Sequence, residues 1–106
     1  MREWKLIKTK DNIDYYNSNK WLCEDRDYAV LYIHNIKTPM NSKLELYCFS
    51  GIEASSITID NLDIGGFLCK IHGNIRDVTL REQYLEIANY ICDKFCDVSN
   101  NYKQGT

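Results

Sequence analysis

Near residue 79 the spacing of apolar side chains changes from every second residue to every third and fourth, and this switch constrains the fold more than any other feature of the chain. Upstream of it, Tyr28–His34 alternates, with Ala29, Leu31 and Ile33 on one side and Tyr28, Val30, Tyr32 and His34 on the other. Lys43–Phe49 does the same, setting Leu44, Leu46 and Cys48 against Lys43, Glu45, Tyr47 and Phe49. That period belongs to a strand with two unlike faces. Downstream, Leu80, Tyr84, Ile87, Ala88, Ile91, Phe95 and Val98 form a helical stripe, widened by Cys92 and Cys96. Thr79 and Glu82 have the spacing of a capping box at its start. The helix is predicted over about 80–97, with Glu82, Glu86, Asn89 and Asp93 on its polar side, and the tail 99–106 is expected to fray.

The remaining strands are shorter. Trp4–Lys8 alternates, "KDN" makes a turn, and Ile13–Tyr16 returns. Trp21–Cys23 is a brief apolar piece before the polar turn "EDRD". Pro39 lies in a loop, because it lacks a donor for a central strand. "SGIEASS" reads as a loop and Ile57–Ile59 as a short strand. Phe67–His72, following Gly65-Gly66, reads as another, with Phe67, Cys69 and Ile71 opposite Leu68, Lys70 and His72. Strands first and a helix last predict an α+β two-layer fold: an antiparallel sheet of about five strands with one C-terminal helix packed on one face. The expected core joins Leu31, Ile33, Leu44, Leu46, Ile57, Ile59, Phe67 and Ile71 to Ile87, Ile91 and Phe95.

A single domain, residues 1–106, is the expectation from length. Thirteen basic and fifteen acidic residues are mixed along the chain, for a net charge of −2. No basic stripe of the kind that binds duplex nucleic acid is visible. The five cysteines are an odd number, which disfavours a closed disulfide framework. The N-terminus lacks an apolar leader, and no run approaches membrane-spanning length. The expectation is a cytoplasmic protein without a membrane segment, whose thiols serve as small hydrophobes.

The candidate residues bear on three kinds of chemistry. Cys69 and His72, with Cys92 and Cys96, have the spacing of two half-sites for zinc. On a strand, however, Cys69 and His72 point to opposite faces, so no metal or other cofactor is expected. Cys48 or Cys69 with His34 or His72 would be a thiol–imidazole pair, yet no cysteine sits at a predicted helix N-terminus, and no catalytic residue or enzymatic activity is expected. The third kind is binding. One helix covers one face of a sheet, leaving Tyr28, Tyr32, His34, Glu45, Tyr47, Lys70 and His72 on the other. Such a face is either solvated, covered by the N-terminal segment (Trp4, Leu6, Tyr15, Tyr16, Trp21), or used for recognition.

The preferred expectation is a small protein-binding domain of inhibitor or immunity type, as in toxin–antitoxin pairs. Tyr28, Tyr32 and Tyr47 would be its anchors, His34 would lie beside them, and Glu24, Asp25 and Asp27 would steer a basic partner such as a toxin or nuclease. A single-stranded RNA module stacking bases on the tyrosines is the alternative, and a zinc-stabilised domain a further one. An aromatic face can also pair with its own copy as a homodimer.

Overall fold

Asp11 and Asn12 turn the chain back on itself, and the sheet grows from that hairpin. Both have φ in the left-handed region, 54° and 62°, as a two-residue hairpin of primed type requires. The computed structural model describes residues 3–18, 28–50, 53–73 and 77–104, with Ser50, Glu53 and residues 96–104 described by backbone alone. Five strands, β1 (Trp4–Lys10), β2 (Ile13–Ser18), β3 (Tyr28–His34), β4 (Lys43–Ser50) and β5 (Glu53–Asp60), precede two helices, α1 (Ile64–His72) and α2 (Leu80–Gln104). The strands form one antiparallel sheet in chain order. Both helices pack against the same side, which makes the two-layer α+β arrangement expected from the pattern.

The core lies between these layers. Ala29, Leu31, Ile33, Leu44, Leu46, Cys48 and Ile59 from the sheet meet Ile64 and Leu68 of α1 and Tyr84, Ile87, Ala88 and Cys92 of α2. Polar contacts also tie the layers together, both at their margins and in the interior. The Trp4 indole N–H donates to Asn89 Oδ1 at 2.9 Å, and the Tyr84 and Ser42 hydroxyls meet at 2.7 Å inside the core. Arg81 Nη2 donates to Asp14 Oδ2 at 2.9 Å, and the Thr9 hydroxyl donates to Asp14 Oδ1 at 2.8 Å. Asp14 is thus buried with both carboxylate oxygens bonded, which is the condition for tolerating a charge there. Burial pushes the Tyr84 hydroxyl above its usual range. It does the same for Tyr16, against the opposing pull of Arg81.

Three expectations need correction. Residues 67–72 are not a strand but most of α1. Ile64, Phe67, Leu68 and Ile71 recur at helical spacing, so four apolar side chains reach the core from one stripe, whereas strand alternation would split them. Phe67–His72, with four apolar residues among its six, satisfies either period, and only the preceding Ile64 separates the two. The "SGIEASS" segment is not all loop: β5 begins at Glu53, where backbone pairing with β4 outweighs the weak strand preference of alanine and serine. The C-terminal helix runs on to Gln104, past the predicted end near 97. The Thr79 half of the capping box is in place, its hydroxyl accepting from the Glu82 amide at 3.2 Å. The predicted piece Trp21–Cys23 lies outside the described residues.

Gly73 ends α1 with φ +77° while its amide bonds to the Cys69 carbonyl at 2.8 Å. Open space surrounds the position a Cβ would take. The expected cost of Gly73→Ala is therefore backbone strain alone, about 1–2 kcal/mol, measurable by urea denaturation.

Candidate functional site: the open face of the sheet

The helices cover one side of the sheet, and alternation sends every second residue to the other. Cross-strand register then arranges the open side in rows. Lys8, Tyr15, Tyr32, Glu45 and Thr58 lie side by side across β1 to β5, and Lys5, Asn17, Val30, Tyr47 and Ser56 form the next row. Tyr28 lies opposite Phe49. The aromatic rings touch. Tyr15 meets Tyr32 edge-on with centroids 5.0 Å apart, Tyr32 leans on Tyr47 at 5.6 Å, and Tyr28 stacks on Phe49 at 4.7 Å. Contacts of this kind contribute roughly 0.5–1.5 kcal/mol each and hold the rings in place before anything binds. Tyr15, Tyr32, Tyr47 and Phe49 are half-buried, and Tyr28 is 44% exposed.

A polar centre is set among the rings. The Tyr47 hydroxyl donates to Glu45 Oε2 at 2.7 Å. His34 Nε2 comes within 2.5 Å of Glu45 Oε1, a close approach without the alignment of a good hydrogen bond. The Tyr47 bond is the largest influence holding the Glu45 carboxyl below its ordinary value of 4.5, with His34 adding to it. The same bond raises the Tyr47 hydroxyl. Depression of Glu45 stabilises the fold above the unfolded-state value, and this stabilisation is lost as pH falls through the depressed value. In Tyr47→Phe the Glu45 carboxyl is expected to titrate higher by NMR. The stability deficit of that variant should be full above about pH 4.5 and shrink below it.

Tyr28, Tyr32, Tyr47 and His34 thus share the open face, as the alternation of their strands predicts. Tyr15 and Phe49 join them. The β2 alternation, with Tyr15 and Tyr16 on opposite sides, was the signal for Tyr15. Lys70 and His72 do not belong here: both are on α1, where Lys70 lies over the Phe67 ring at 5.2 Å and His72 meets Glu86 at 2.9 Å. Nor does the described part of the N-terminal segment cover the face. It extends the sheet, sending Trp4 and Tyr16 to the helix side and Tyr15 to the open side. Trp21 and the acidic residues Glu24, Asp25 and Asp27 lie outside the described residues.

The described charges around the face are mostly basic. Lys5, Lys8 and Lys10 stand opposite Asn17, Tyr15 and Ile13, and Lys8 caps the Tyr15 ring at 4.8 Å. A shift in register between Leu6 and Lys8 brings the three lysines to one face, since Lys5 and Lys8 would otherwise point apart. Lys43 stands between His34 and Asp60.

Of the residues with zinc-like spacing, the three whose side chains are described, Cys69, His72 and Cys92, are not gathered into one group. Helix geometry removes the strand-based objection, because residues three apart are neighbours on a helix. But Cys69 is exposed on α1, and Cys92 is buried with its sulfur 3.9 Å from that of Cys48. The Cys96 side chain lies outside the described set, and no group of three metal-ligating side chains occurs among the described residues. Among those residues, too, no helix is long and apolar enough to cross a membrane. Comparison with protein-family models, curated proteins and solved structures finds no match to the chain.

Proposed function

We propose that the chain is a binding module that docks the open aromatic face of its sheet onto a partner protein, in the manner of a small inhibitor or immunity protein that occludes a working surface. The observation that carries this reading is the set of touching aromatic rings on the face opposite the helices. Tyrosines held in fixed positions offer large contact area and a polar tip at little entropic cost. Interface centres favour this composition. Steering by acidic residues rests on Glu24, Asp25 and Asp27 alone, since the described rim is rich in lysine. The test is hydroxyl-radical footprinting of an isolated complex. Tyr28, Tyr32 and Tyr47 should become protected while Tyr90, on α2, does not change. Protection confined to the helix side would overturn the reading.

The lysine row on β1 favours one second reading, a single-stranded RNA platform in which bases stack on Tyr15, Tyr32 and Tyr47 and the phosphates follow Lys5, Lys8 and Lys10. Stacking contributes roughly 1–3 kcal/mol per base. Quenching of tyrosine fluorescence by short oligouridylate at low salt, abolished when the three lysines become glutamate, would support this reading. An unchanged signal would remove it.

A further inference from the structure

The two outer strands of the sheet are built differently. β1 carries Lys5, Lys8 and Lys10, and its register with β2 is broken between Leu6 and Lys8. Lysines and bulges are devices that keep a neighbouring chain from pairing with an exposed strand. β5 has neither. Its eight residues pair with β4 in unbroken register from Ser50↔Glu53 to Lys43↔Asp60. It contains no lysine or proline, and Ala54–Ile59 is uncharged. Among the described residues no strand pairs with its outer side. Half of its backbone groups therefore point along the sheet toward a place where a further strand fits.

A groove runs beside this edge. α2 packs over β3 and β4, and between it and β5 lies an open apolar cleft of about 380 Å³. Leu46, Ile57, Ile91 and Phe95 form its walls, Ser55 contributes a hydroxyl, and Lys94 is the one charged side chain among the described residues lining it. Lys94 is solvent-exposed, and its ammonium lies 5.5 Å from the Tyr90 ring.

We infer that β5 and this groove form a strand-addition site for an extended peptide segment of another protein, apolar at alternate positions and bearing a carboxylate near one end. Backbone pairing to β5 would supply affinity, and every second side chain of the added strand would point to the helix side and enter the groove. The volume is of the size that takes a small ligand or a few side chains. Lys94 supplies the charge that complements the carboxylate. A second copy of this chain fits less well. Antiparallel pairing of two whole β5 strands places Glu53 opposite Asp60 at both ends, and like charges directly opposite destabilise a sheet. The site is separate from the aromatic face and does not depend on the function proposed for it.

The test uses the full chain and a fluorescein-labelled hexapeptide of alternating valine and threonine that ends in aspartate with a free carboxyl group. Anisotropy should show saturable one-to-one binding, and the β5 amides should exchange more slowly when the peptide is present. Lys94→Glu, at an exposed position that leaves the fold intact by circular dichroism, should weaken binding about tenfold or more. A central proline in the peptide should abolish it, because proline cannot donate to the new ladder. Failure to saturate with folded protein, or indifference to both changes, overturns the proposal. So does a concentration-dependent dimer whose β5 amides are protected without peptide, since a second copy would then hold the edge.

Discussion

Alanine at Tyr32 is expected to weaken the complex with the partner protein by about 2 kcal/mol or more, roughly thirtyfold in Kd, and alanine at Tyr47 to do the same. Both rings lie at the middle of the open face, Tyr32 between Tyr15 of β2 and Glu45 of β4, and Tyr47 between Val30 of β3 and Ser56 of β5, so each has neighbours that would help exclude water from a docked surface. Because the rings lean on each other at 5.6 Å, the double variant should lose less than the sum of the two single losses. Calorimetric titration with the isolated partner measures this. Each variant also removes ring contacts that contribute roughly 0.5–1.5 kcal/mol apiece, two at Tyr32 and one at Tyr47, so affinity is compared at a temperature where circular dichroism shows both variants folded. Two tyrosine variants that bind the partner as tightly as the parent chain would end the proposal for this face.

The second large effect is on folding. Leu31 is 0% exposed at the centre of β3, paired with Tyr16 on one side and Leu46 on the other, within the core between sheet and helices. Leu31→Ala is expected to destabilise the chain by about 2–5 kcal/mol, the sum of lost transfer energy and the cavity left between layers that cannot fully close. A domain of this size has only about 5–15 kcal/mol to lose, so the variant should unfold at markedly lower urea concentration. Leu62→Ala is the matched control. That leucine is 91% exposed on the turn after β5, and its removal should change stability by less than about 0.5 kcal/mol. Equal losses for the two leucines would mean that the layers do not pack as described.

Much of this arrangement was legible from residue spacing. The faces of β3 and β4 follow from alternation, because a strand cannot send neighbouring side chains the same way. The main run of α2 follows from its stripe and from Thr79. Tyr28, Tyr32, His34 and Tyr47 were placed together on that basis alone. The segment 64–72 was not legible, because a short apolar run satisfies both periods and the competition is settled by what the side chains can bury against. Lys70 and His72 were misplaced with it. The length of β5 was hidden for a related reason. Alanine and serine carry little strand preference, and an outer strand owes its form to the neighbour it pairs with.

The sequence by itself determined which residues seek the interior of each strand and of the long helix, since burial of apolar surface depends on a local period of two or three to four residues. It also determined the sharp reversal at Asp11-Asn12, where short polar side chains tolerate left-handed backbone. Only the tertiary structure decided that Gly65 to His72 would be helical, that Lys5, Lys8 and Lys10 would share a face through one irregular step in β1, and that β5 would be the outer strand among the described residues, beside a groove. These outcomes depend on pairing register and on the space left between layers. Both are properties of contacts between segments distant in the chain, and no local pattern encodes them.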